Sequence, residues 1–295
     1  MTNSEMREKI ANGQGFIAAL DQSGGSTPKA LQGYGYRGDE WSGEEEMFGL
    51  IHQMRSRIIS SPSFGSGKVI GAILFERTMD GDIDGKPVPK ALIDQGVVPF
   101  IKIDKGLEDE AHGVQMMKPM PELDALLTKA KTLGVFGTKE RSVINLANPE
   151  GIAAVVKQQF DVARQVLGHG MVPIIEPEVN IKSTERAAAD RILLDEILKN
   201  LESVPASEQV MLKLSIPAEA GLFTPLVNHP KVLRVVALSG GFSRADAVRE
   251  LAKNPGMIAS FSRALLSDLR HDQDDAEFDR TLGTAIDEIH GASVA

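Results

Sequence analysis

A single lysine interrupts the apolar run VMLKLSI, residues 210–216. The run has the length and composition of a buried strand, where the ammonium group of Lys213 is costly unless it reaches water or a partner. Burial and neighbouring positive charges can instead lower the pKa of such an amine until it is a nucleophile at neutral pH. The amine could then attack a ketone and form a Schiff base, an electron sink that lets an adjacent C–C bond break or form.

Two carboxylates could carry the proton that this chemistry requires. Glu176 and Glu178, in PIIEPEVN, are two residues apart and therefore lie on the same side of an extended segment. Crowding disfavours a charge on both, so one can keep its proton and act as a general acid or base. A structural salt bridge to Lys139 or Lys213 explains either carboxylate equally well. Asp21 could polarise or deprotonate a substrate hydroxyl, or simply cap the turn QSGGS.

A glycine-rich turn beside an arginine indicates a phosphate site. The segment ALSGGFSR places Ser239, Gly240 and Gly241 between an apolar run and a helix, where backbone N–H groups can bind an anion. Arg263, after the next apolar run, adds a planar fork of donors. Without that arginine, the turn would be an ordinary strand-to-helix connection.

A second and weaker phosphate cradle is DQSGGS. Ser23 and Ser26 would bind the anion there, with Lys102 as the possible counter-charge. Lys102 and Lys139 could also supply the positive charges that make the neutral form of Lys213 more favourable.

Eight apolar runs of strand length must position these groups. Their near-continuous apolarity is typical of strands that are covered on both faces. They are residues 15–21, 69–76, 97–104, 134–139, 171–177, 210–216, 232–239 and 257–263. A charge at one strand end is usually just the first solvated residue of a loop. Cations and carboxylates at the ends of many strands that meet at one mouth indicate a reaction site instead.

Helical patterns separate these runs. The clearest is PEGIAAVVKQQFDVARQVLG, which Asn148 caps, Pro149 opens and Gly168 can end. The apolar residues on one face of this helix are Ile152, Val155, Val156, Phe160, Ala163 and Leu167. Other helices are predicted in ADRILLDEILKNL, in SRADAVRELAKNPG and at the end of the chain, and residues 78–96 read as a loop plus a short helix.

The alternation predicts an α/β protein, a parallel (β/α)8 TIM barrel that forms a single domain over residues 1–295 with a C-terminal helix. A doubly wound open sheet is the competing architecture, but GxGxxG is absent after the first strand. Barrels can associate through their outer helices, so a homo-oligomer is compatible with this prediction.

Composition argues against several other functions. Lys plus Arg number 32 against 41 Asp plus Glu, and the net charge of −9 disfavours a nucleic-acid surface. No apolar run approaches the ~20 residues that span a membrane. The start MTNSEMREKIANG has no signal-peptide core and the chain has no cysteine, so we expect a cytoplasmic protein. The six scattered histidines give no reason to expect a metal or another cofactor.

Together the motifs resemble class I fructose-bisphosphate aldolases in their short bacterial form. The resemblance rests on GFIAALDQSGGS, FIKIDKG, GTKERSVI, VPIIEPEVNI, VMLKLSIP, VALSGGFSR and ASFSRALLSD, in the family's order over most of the chain. It implies reversible cleavage of fructose 1,6-bisphosphate to dihydroxyacetone phosphate and glyceraldehyde 3-phosphate, in glycolysis and gluconeogenesis. The implied mechanism uses a lysine Schiff base and no metal, and the partners are small-molecule sugar phosphates.

The resemblance also implies a role for each residue. The Schiff base would form on Lys213, and Glu176 would be the main proton carrier, supported by Glu178, Lys139 and Asp21. Arg141 and Lys102 would bind polar groups of the substrate. The C1 phosphate would lie at Ser239, Gly240 and Arg263, with Gly241 beside them, and the C6 phosphate toward Ser23, Ser26 and Lys102.

The chain departs from the family in two places. Animal members end in a tyrosine that assists protonation, whereas this chain ends in GASVA and has tyrosines only at Tyr34 and Tyr36. Glu176 or water would then carry that proton. Glu140 stands where the family has a tryptophan, which puts the charge balance around Lys139 in doubt.

Two other functions fit the same residues. A transaldolase or another sugar-phosphate aldolase would share the lysine but accept substrates that lack one phosphate. A non-catalytic barrel could use the charges at the strand ends to bind sugar phosphates or a protein, and it would have little need for an activated amine.

Overall fold

A computed structural model describes residues 1–295, which form eleven strands and twelve helices. The strands are β1 Phe16–Leu20, β2 Val69–Leu74, β3 Asp82–Ile83, β4 Lys86–Pro87, β5 Val98–Lys102, β6 Val114–Gln115, β7 Gly137–Ile144, β8 Val172–Val179, β9 Val210–Ser215, β10 Val232–Leu238 and β11 Ile258–Ala259. The helices are α1 Asn3–Asn12, α2 Ser26–Gly33, α3 Gly43–Ser60, α4 Glu76–Met79, α5 Val88–Asp94, α6 Leu123–Thr132, α7 Pro149–Gly168, α8 Arg186–Leu201, α9 Thr224–Val227, α10 Arg244–Leu251, α11 Arg263–Leu266 and α12 Asp275–Ser293.

Eight of the strands form one parallel sheet, in the order β1-β2-β5-β7-β8-β9-β10-β11. The two edges of this sheet meet, because the backbone N–H of Ala19 on β1 donates to the carbonyl of Phe261, just after β11, at 3.2 Å. The predicted (β/α)8 barrel is therefore confirmed as a nearly closed parallel barrel with alternating helices. The short strand β6 adds to β7 in antiparallel fashion, and β3 and β4 form a separate hairpin.

Side chains of the barrel strands divide into two apolar layers. A small inner cluster includes Ile174, Met211 and Val236 from the strands, together with Met6 and Ile10 of helix α1. A larger outer cluster lies between the strands and the surrounding helices and includes Ile175, Leu212 and Leu214. Since successive side chains of a strand point to opposite faces, this division tells which residues face the barrel interior.

The predicted helices are confirmed, and the predicted N-cap of α7 acts as expected, whereas Gly168 is the last residue of this helix and His169 is its C-cap. The Asn148 side chain accepts a hydrogen bond from the backbone N–H of Gly151 at 3.0 Å, and Pro149 opens α7. All six apolar residues predicted for the face of α7 are buried. None of the twelve helices combines the length and the apolar character that a membrane crossing requires.

The bounds of some elements differ from the prediction. The fourth barrel strand was expected over residues 134–139, but β7 covers Gly137–Ile144 because it pairs with β8 along its whole length. Gly134 lies in a turn with φ of +83°. The eighth run contributes only β11 to the sheet, and residues 78–96 contain a hairpin and helix α5 rather than a loop with one short helix.

Candidate active site

Four charged side chains meet inside the barrel, three from the strands β7, β8 and β9 and one, Asp21, from the position directly after β1. The ammonium group of Lys139 lies 2.6 Å from Asp21 Oδ2 and 2.9 Å from Glu176 Oε2. The ammonium group of Lys213 lies 3.2 Å from Glu176 Oε1. All four residues are buried, and none is more than 8% exposed. Glu176 therefore stands between two lysines, each of which contacts one of its oxygens.

Strand geometry explains why these side chains converge. Lys213 is two residues after Met211 of the inner cluster, so it points into the barrel and away from the outer helices. On the neighbouring strand, Glu176 follows Ile174 by the same interval. Lys139 pairs in register with Ile174 and shares its face. The sequence alone could not decide which face Lys213 occupies, and the structure places it toward the interior.

Mutual attraction fixes the charge states of two of these groups. Burial works against the charged form of Lys139, but the carboxylates of Asp21 and Glu176 outweigh it and raise the pKa of this lysine. Burial likewise opposes ionisation of Asp21, but the ammonium groups of Lys139 and Lys213 lower its pKa below the usual range. Lys139 is thus a fixed cation and Asp21 a fixed anion at neutral pH.

Two further ion pairs border this cluster. Arg141 follows Lys139 on the inner face of β7 and pairs with Glu178. Burial opposes the charge on Arg141, but Glu178 raises the pKa of the guanidinium. At the end of β5, Lys102 pairs with Asp104 Oδ1 at 2.7 Å and donates to the backbone carbonyl of Asp104 at 2.8 Å.

The glycine-rich turn after β10 lies against an arginine, as the sequence predicts. Gly240 and Gly241 both have positive φ, +59° and +113°, which favours glycine. The guanidinium of Arg263 comes within 3.4 Å of the point where a Cβ on Gly241 would stand. Ser239 is buried in the same turn, and its carbonyl accepts from the N–H of Phe242 at 2.9 Å. Helix α10 begins directly afterwards.

A substitution in this turn tests whether it binds the substrate. We expect Gly240→Ala to raise KM for fructose 1,6-bisphosphate, the substrate that the resemblance implies, about tenfold, because L-residues at this φ cost on the order of 1–2 kcal/mol. The added Cβ would also lie 2.7 Å from Cγ2 of Ile181. Steady-state kinetics measure the change, with Gly33→Ala as the control, since a Cβ at Gly33 meets nothing within 4 Å. An unchanged KM in Gly240→Ala would contradict the role of the turn.

The weaker predicted cradle has a different arrangement. The N–H of Ser23 donates to Ser26 Oγ at 2.9 Å, and the Ser26 hydroxyl donates to the Ser23 carbonyl at 2.8 Å. The two serines thus form a closed turn at the start of α2. Lys102, expected to serve this cradle as its counter-charge, makes its contacts with Asp104 instead.

Glu140 lies on the opposite face of β7 from Lys139 and the other charged residues of the central cluster. It pairs in register with Ile175 of the outer apolar cluster and is completely buried. Neither carboxyl oxygen has a hydrogen-bond partner. Burial and, after it, the negative charge of Asp104 raise the pKa of Glu140 well above its usual range. Glu140 therefore lies on the other side of β7 from the central cluster, and its raised pKa disfavours a further negative charge near Lys139.

The buried acid makes stability depend on pH in a definite direction. The unfolded chain ionises Glu140 near pH 4.5, whereas the folded chain keeps the proton to a higher pH. The free energy of unfolding should therefore fall as pH rises above that point, by up to about 1.4 kcal/mol per pH unit. We expect Glu140→Gln to remove this component, whereas exposed Glu45→Gln keeps it. Urea denaturation between pH 5 and 8 measures the slopes, and equal slopes would show that Glu140 is ionised in the folded protein.

Comparison with known proteins identifies the family. A family model described as fructose-bisphosphate aldolase class-I matches residues 3–217, which include all four residues of the central cluster. The chain belongs to the class-I fructose-bisphosphate aldolase family. Members are metal-independent lyases of the Schiff-base type, and the reaction is reversible cleavage of fructose 1,6-bisphosphate in glycolysis and gluconeogenesis.

Solved structures share the aldolase barrel. The fructose-bisphosphate aldolase of Plasmodium falciparum, solved with TRAP and a small-molecule inhibitor, is 19% identical, with a TM-score of 0.80 over 99% of this chain and 94% of that one. A Schiff base forming fructose-1,6-bisphosphate aldolase, studied through its reaction intermediates, is 13% identical, with a TM-score of 0.52 over 97% and 100% of the two chains. A Corynebacterium glutamicum protein is also 13% identical, with a TM-score of 0.55 over 98% and 92%. These likenesses support the fold.

Sequence reasoning missed several residues around the aldolase site. Gln22 lies in the motif GFIAALDQSGGS and Ser262 in ASFSRALLSD, but neither sequence pattern indicates a role for them. No motif contains the buried Arg55. A signal for Arg55 did exist: it lies four residues after Ile51 and three before Ile58, on the apolar face of α3. An arginine at such a position must either reach out of the core or serve a purpose within it.

Proposed function

We propose that Lys213 forms the Schiff base of this aldolase and that Glu176 is its main proton carrier. The observation that carries this proposal is the 3.2 Å contact between the Lys213 ammonium and Glu176, two buried side chains that face the barrel interior. Among the lysines of the central cluster, Lys139 pairs with two carboxylates whereas Lys213 contacts only Glu176, so we assign the role of nucleophile to Lys213.

The proposed reaction begins with attack of neutral Lys213 on C2 of the open-chain ketose. Loss of water gives a protonated imine, and a carboxylate takes the proton of the C4 hydroxyl. The C3–C4 bond then breaks, its electron pair moves into the imine to form an enamine, and glyceraldehyde 3-phosphate leaves. Protonation of the enamine at C3 and hydrolysis of the imine release dihydroxyacetone phosphate and restore Lys213.

The carboxylates are assigned by their contacts. We assign abstraction of the C4 hydroxyl proton to Asp21 or Glu176, both of which contact Lys139. Protonation of the enamine is assigned to Glu176, because its Oε1 lies next to the nitrogen of Lys213. Glu178, paired with Arg141, supports the charge of the cluster. Lys139 holds the two acids in place and keeps Asp21 anionic.

The substrate phosphates are assigned to the two ends of the mouth. We propose that the C1 phosphate binds at Ser239, Gly240, Gly241 and Arg263, since backbone N–H groups and a guanidinium lie together there. The C6 phosphate would extend toward Ser23, Ser26 and Lys102. Lys102 would then exchange part of its contact with Asp104 for the ligand, and Arg141 would bind polar groups between the two phosphates.

Borohydride trapping tests the proposed function. Dihydroxyacetone phosphate plus sodium borohydride should inactivate the enzyme irreversibly, and peptide mass mapping should place the reduced adduct on Lys213. Borohydride without the ketose is the control and should leave activity intact. Label on Lys139 or Lys102 instead of Lys213, or turnover that a chelator abolishes, would refute the assignment.

The domain organisation, cellular location and oligomeric state of the protein are also proposals. We infer that residues 1–295 act as one barrel domain, because α12 packs on α10, α11 and β11 and completes the outer layer. We propose a cytoplasmic location, since a glycolytic family and a chain without cysteine both fit a reducing compartment. Sedimentation velocity tests for a homo-oligomer, which would associate through the outer helices.

A further inference from the structure

Helix α3 carries a wholly buried arginine that the proposed mechanism does not use. Arg55 is 0% exposed, and no carboxylate lies within ion-pair distance of it. Burial lowers the pKa of its guanidinium to about 10, so it is still a cation at neutral pH. A buried charge that no counter-ion contacts is costly. The negative charge of Asp21 opposes part of that cost, and hydrogen bonds or a functional need must account for the rest.

The donors of Arg55 bind two segments at the mouth of the barrel. Nη1 donates to Thr78 Oγ1 on α4, just after β2, at 2.7 Å. Nη2 donates to the backbone carbonyl of Gln22 at 2.5 Å and to its side-chain Oε1 at 3.2 Å. Gln22 follows Asp21 directly in the chain, so Arg55 holds the backbone next to a residue of the catalytic cluster.

The side chain of Gln22 links Arg55 to the other edge of the sheet through hydrogen bonds. A guanidinium can only donate hydrogen bonds, so it fixes the Gln22 amide with the oxygen toward Arg55 and the NH2 group away from it. That NH2 group donates to Ser262 Oγ at 2.5 Å. Ser262 immediately precedes Arg263 of the proposed phosphate site.

These hydrogen bonds lie at the seam of the barrel, the boundary where its first and last strands, β1 and β11, face each other. The strands β11 and β1 do not form a paired ladder, and β11 has only two residues. The backbone bond from Ala19 to Phe261 is followed, closer to the mouth, by the side-chain bond from Gln22 to Ser262. Asp21 and Arg263 stand on opposite sides of this seam, so the distance between them depends on how firmly it is closed.

We propose that Arg55 is a positioning residue for the aldolase reaction, and that through Gln22 and Ser262 it fixes the separation between Asp21 and the phosphate-binding Arg263. This inference rests on the proposed function, since it needs Asp21 in proton transfer and Arg263 on the C1 phosphate. Binding the phosphate would then place the reacting carbons correctly over Asp21. Small errors in such a separation are costly, because misplacement by 1 Å can reduce a rate about 100-fold.

The test removes the guanidinium and then returns it. We expect Arg55→Ala to fold, to be trapped by borohydride on Lys213, and to lose about 10- to 100-fold in kcat/KM for fructose 1,6-bisphosphate, with KM raised. Added guanidinium ion should restore part of the loss by binding in the vacated space. Arg191→Met, which removes a surface arginine paired with Glu219, is the control and should match the unaltered enzyme in both measurements.

A double-mutant cycle separates positioning from simple packing. If Arg55 acts through Gln22, then Gln22→Leu alone reproduces most of the loss, and the double variant is little worse than either single one. Additive losses in the cycle, full activity in Gln22→Leu, or full activity in folded Arg55→Ala would each overturn the proposal. Gln22→Leu decides the matter if Arg55→Ala does not fold. If the proposed function itself is wrong, the unaltered enzyme will not form the borohydride adduct on Lys213. This outcome can be distinguished from failure of the Arg55 proposal, in which the unaltered enzyme still forms the adduct.

Discussion

Lys213→Met is expected to abolish aldol cleavage, with a loss in kcat on the order of 10⁴-fold or more. Methionine is close to lysine in length and apolar volume, so the buried site should remain packed, but its thioether cannot form an imine. Without the covalent electron sink, cleavage of the C3–C4 bond would leave an unstabilised carbanion. A coupled assay of glyceraldehyde 3-phosphate release measures the loss, and the borohydride adduct should disappear with it.

The control for this variant is a lysine of similar pairing on the surface. Lys253 pairs with Glu250 at 2.8 Å but is exposed, so Lys253→Met should keep full activity. Thermal melting monitored by circular dichroism checks that Lys213→Met is folded. If the folded variant keeps more than about one hundredth of the activity, the covalent mechanism on Lys213 is wrong.

Glu176→Gln is expected to have the second largest effect, a loss of about 10²- to 10⁴-fold in kcat with little change in KM. The amide keeps the shape of the side chain and can still accept from one lysine, but it cannot shuttle a proton. Lys139 keeps its contact with Asp21 at 2.6 Å, so the pocket retains one of its ion pairs. Exchange of the C3 hydrogen of dihydroxyacetone phosphate with deuterated water follows the proton step directly and should slow in proportion.

The neighbouring carboxylate provides a matched comparison. Glu178 lies two residues farther along β8 and pairs with Arg141 rather than with either lysine of the central cluster. We therefore expect Glu178→Gln to lose less activity than Glu176→Gln and to exchange the C3 hydrogen at a nearly normal rate. A larger loss in Glu178→Gln than in Glu176→Gln would reverse the assignment of the proton carrier.

The barrel could be predicted because the apolar runs alternate with amphipathic helices in a regular order. The face of Lys213 could not be predicted, since Met211, Leu212 and Leu214 are all apolar and the strand is covered on both sides. Only the assembled barrel distinguishes the inner cluster, which contains Met211, from the outer cluster, which contains the two leucines.

Side-chain contacts that sequence patterns do not show account for what could not be predicted. The sequence predicts Lys102 as the counter-charge of a phosphate cradle, and the structure adds its ion pair with Asp104, two residues away. Arg55 bonds with Gln22 and Thr78 across three elements, a relation that periodicity within one helix cannot reveal. Glu140 appears in the sequence as one more charge among several, whereas its raised pKa follows from burial that only the fold creates.

The inner apolar cluster and helix α1 have a consequence for the order of events in catalysis. Met6 and Ile10 pack with the inward side chains of the strands and fill the end of the barrel opposite the strand ends that carry the charges. Substrates and products therefore enter and leave through the same open end of the barrel. If the three-carbon enamine forms on Lys213 as proposed, the aldehyde would have to leave through this open end before the next ketose could enter. Release would then be sequential, with the aldehyde leaving first and the ketose phosphate last.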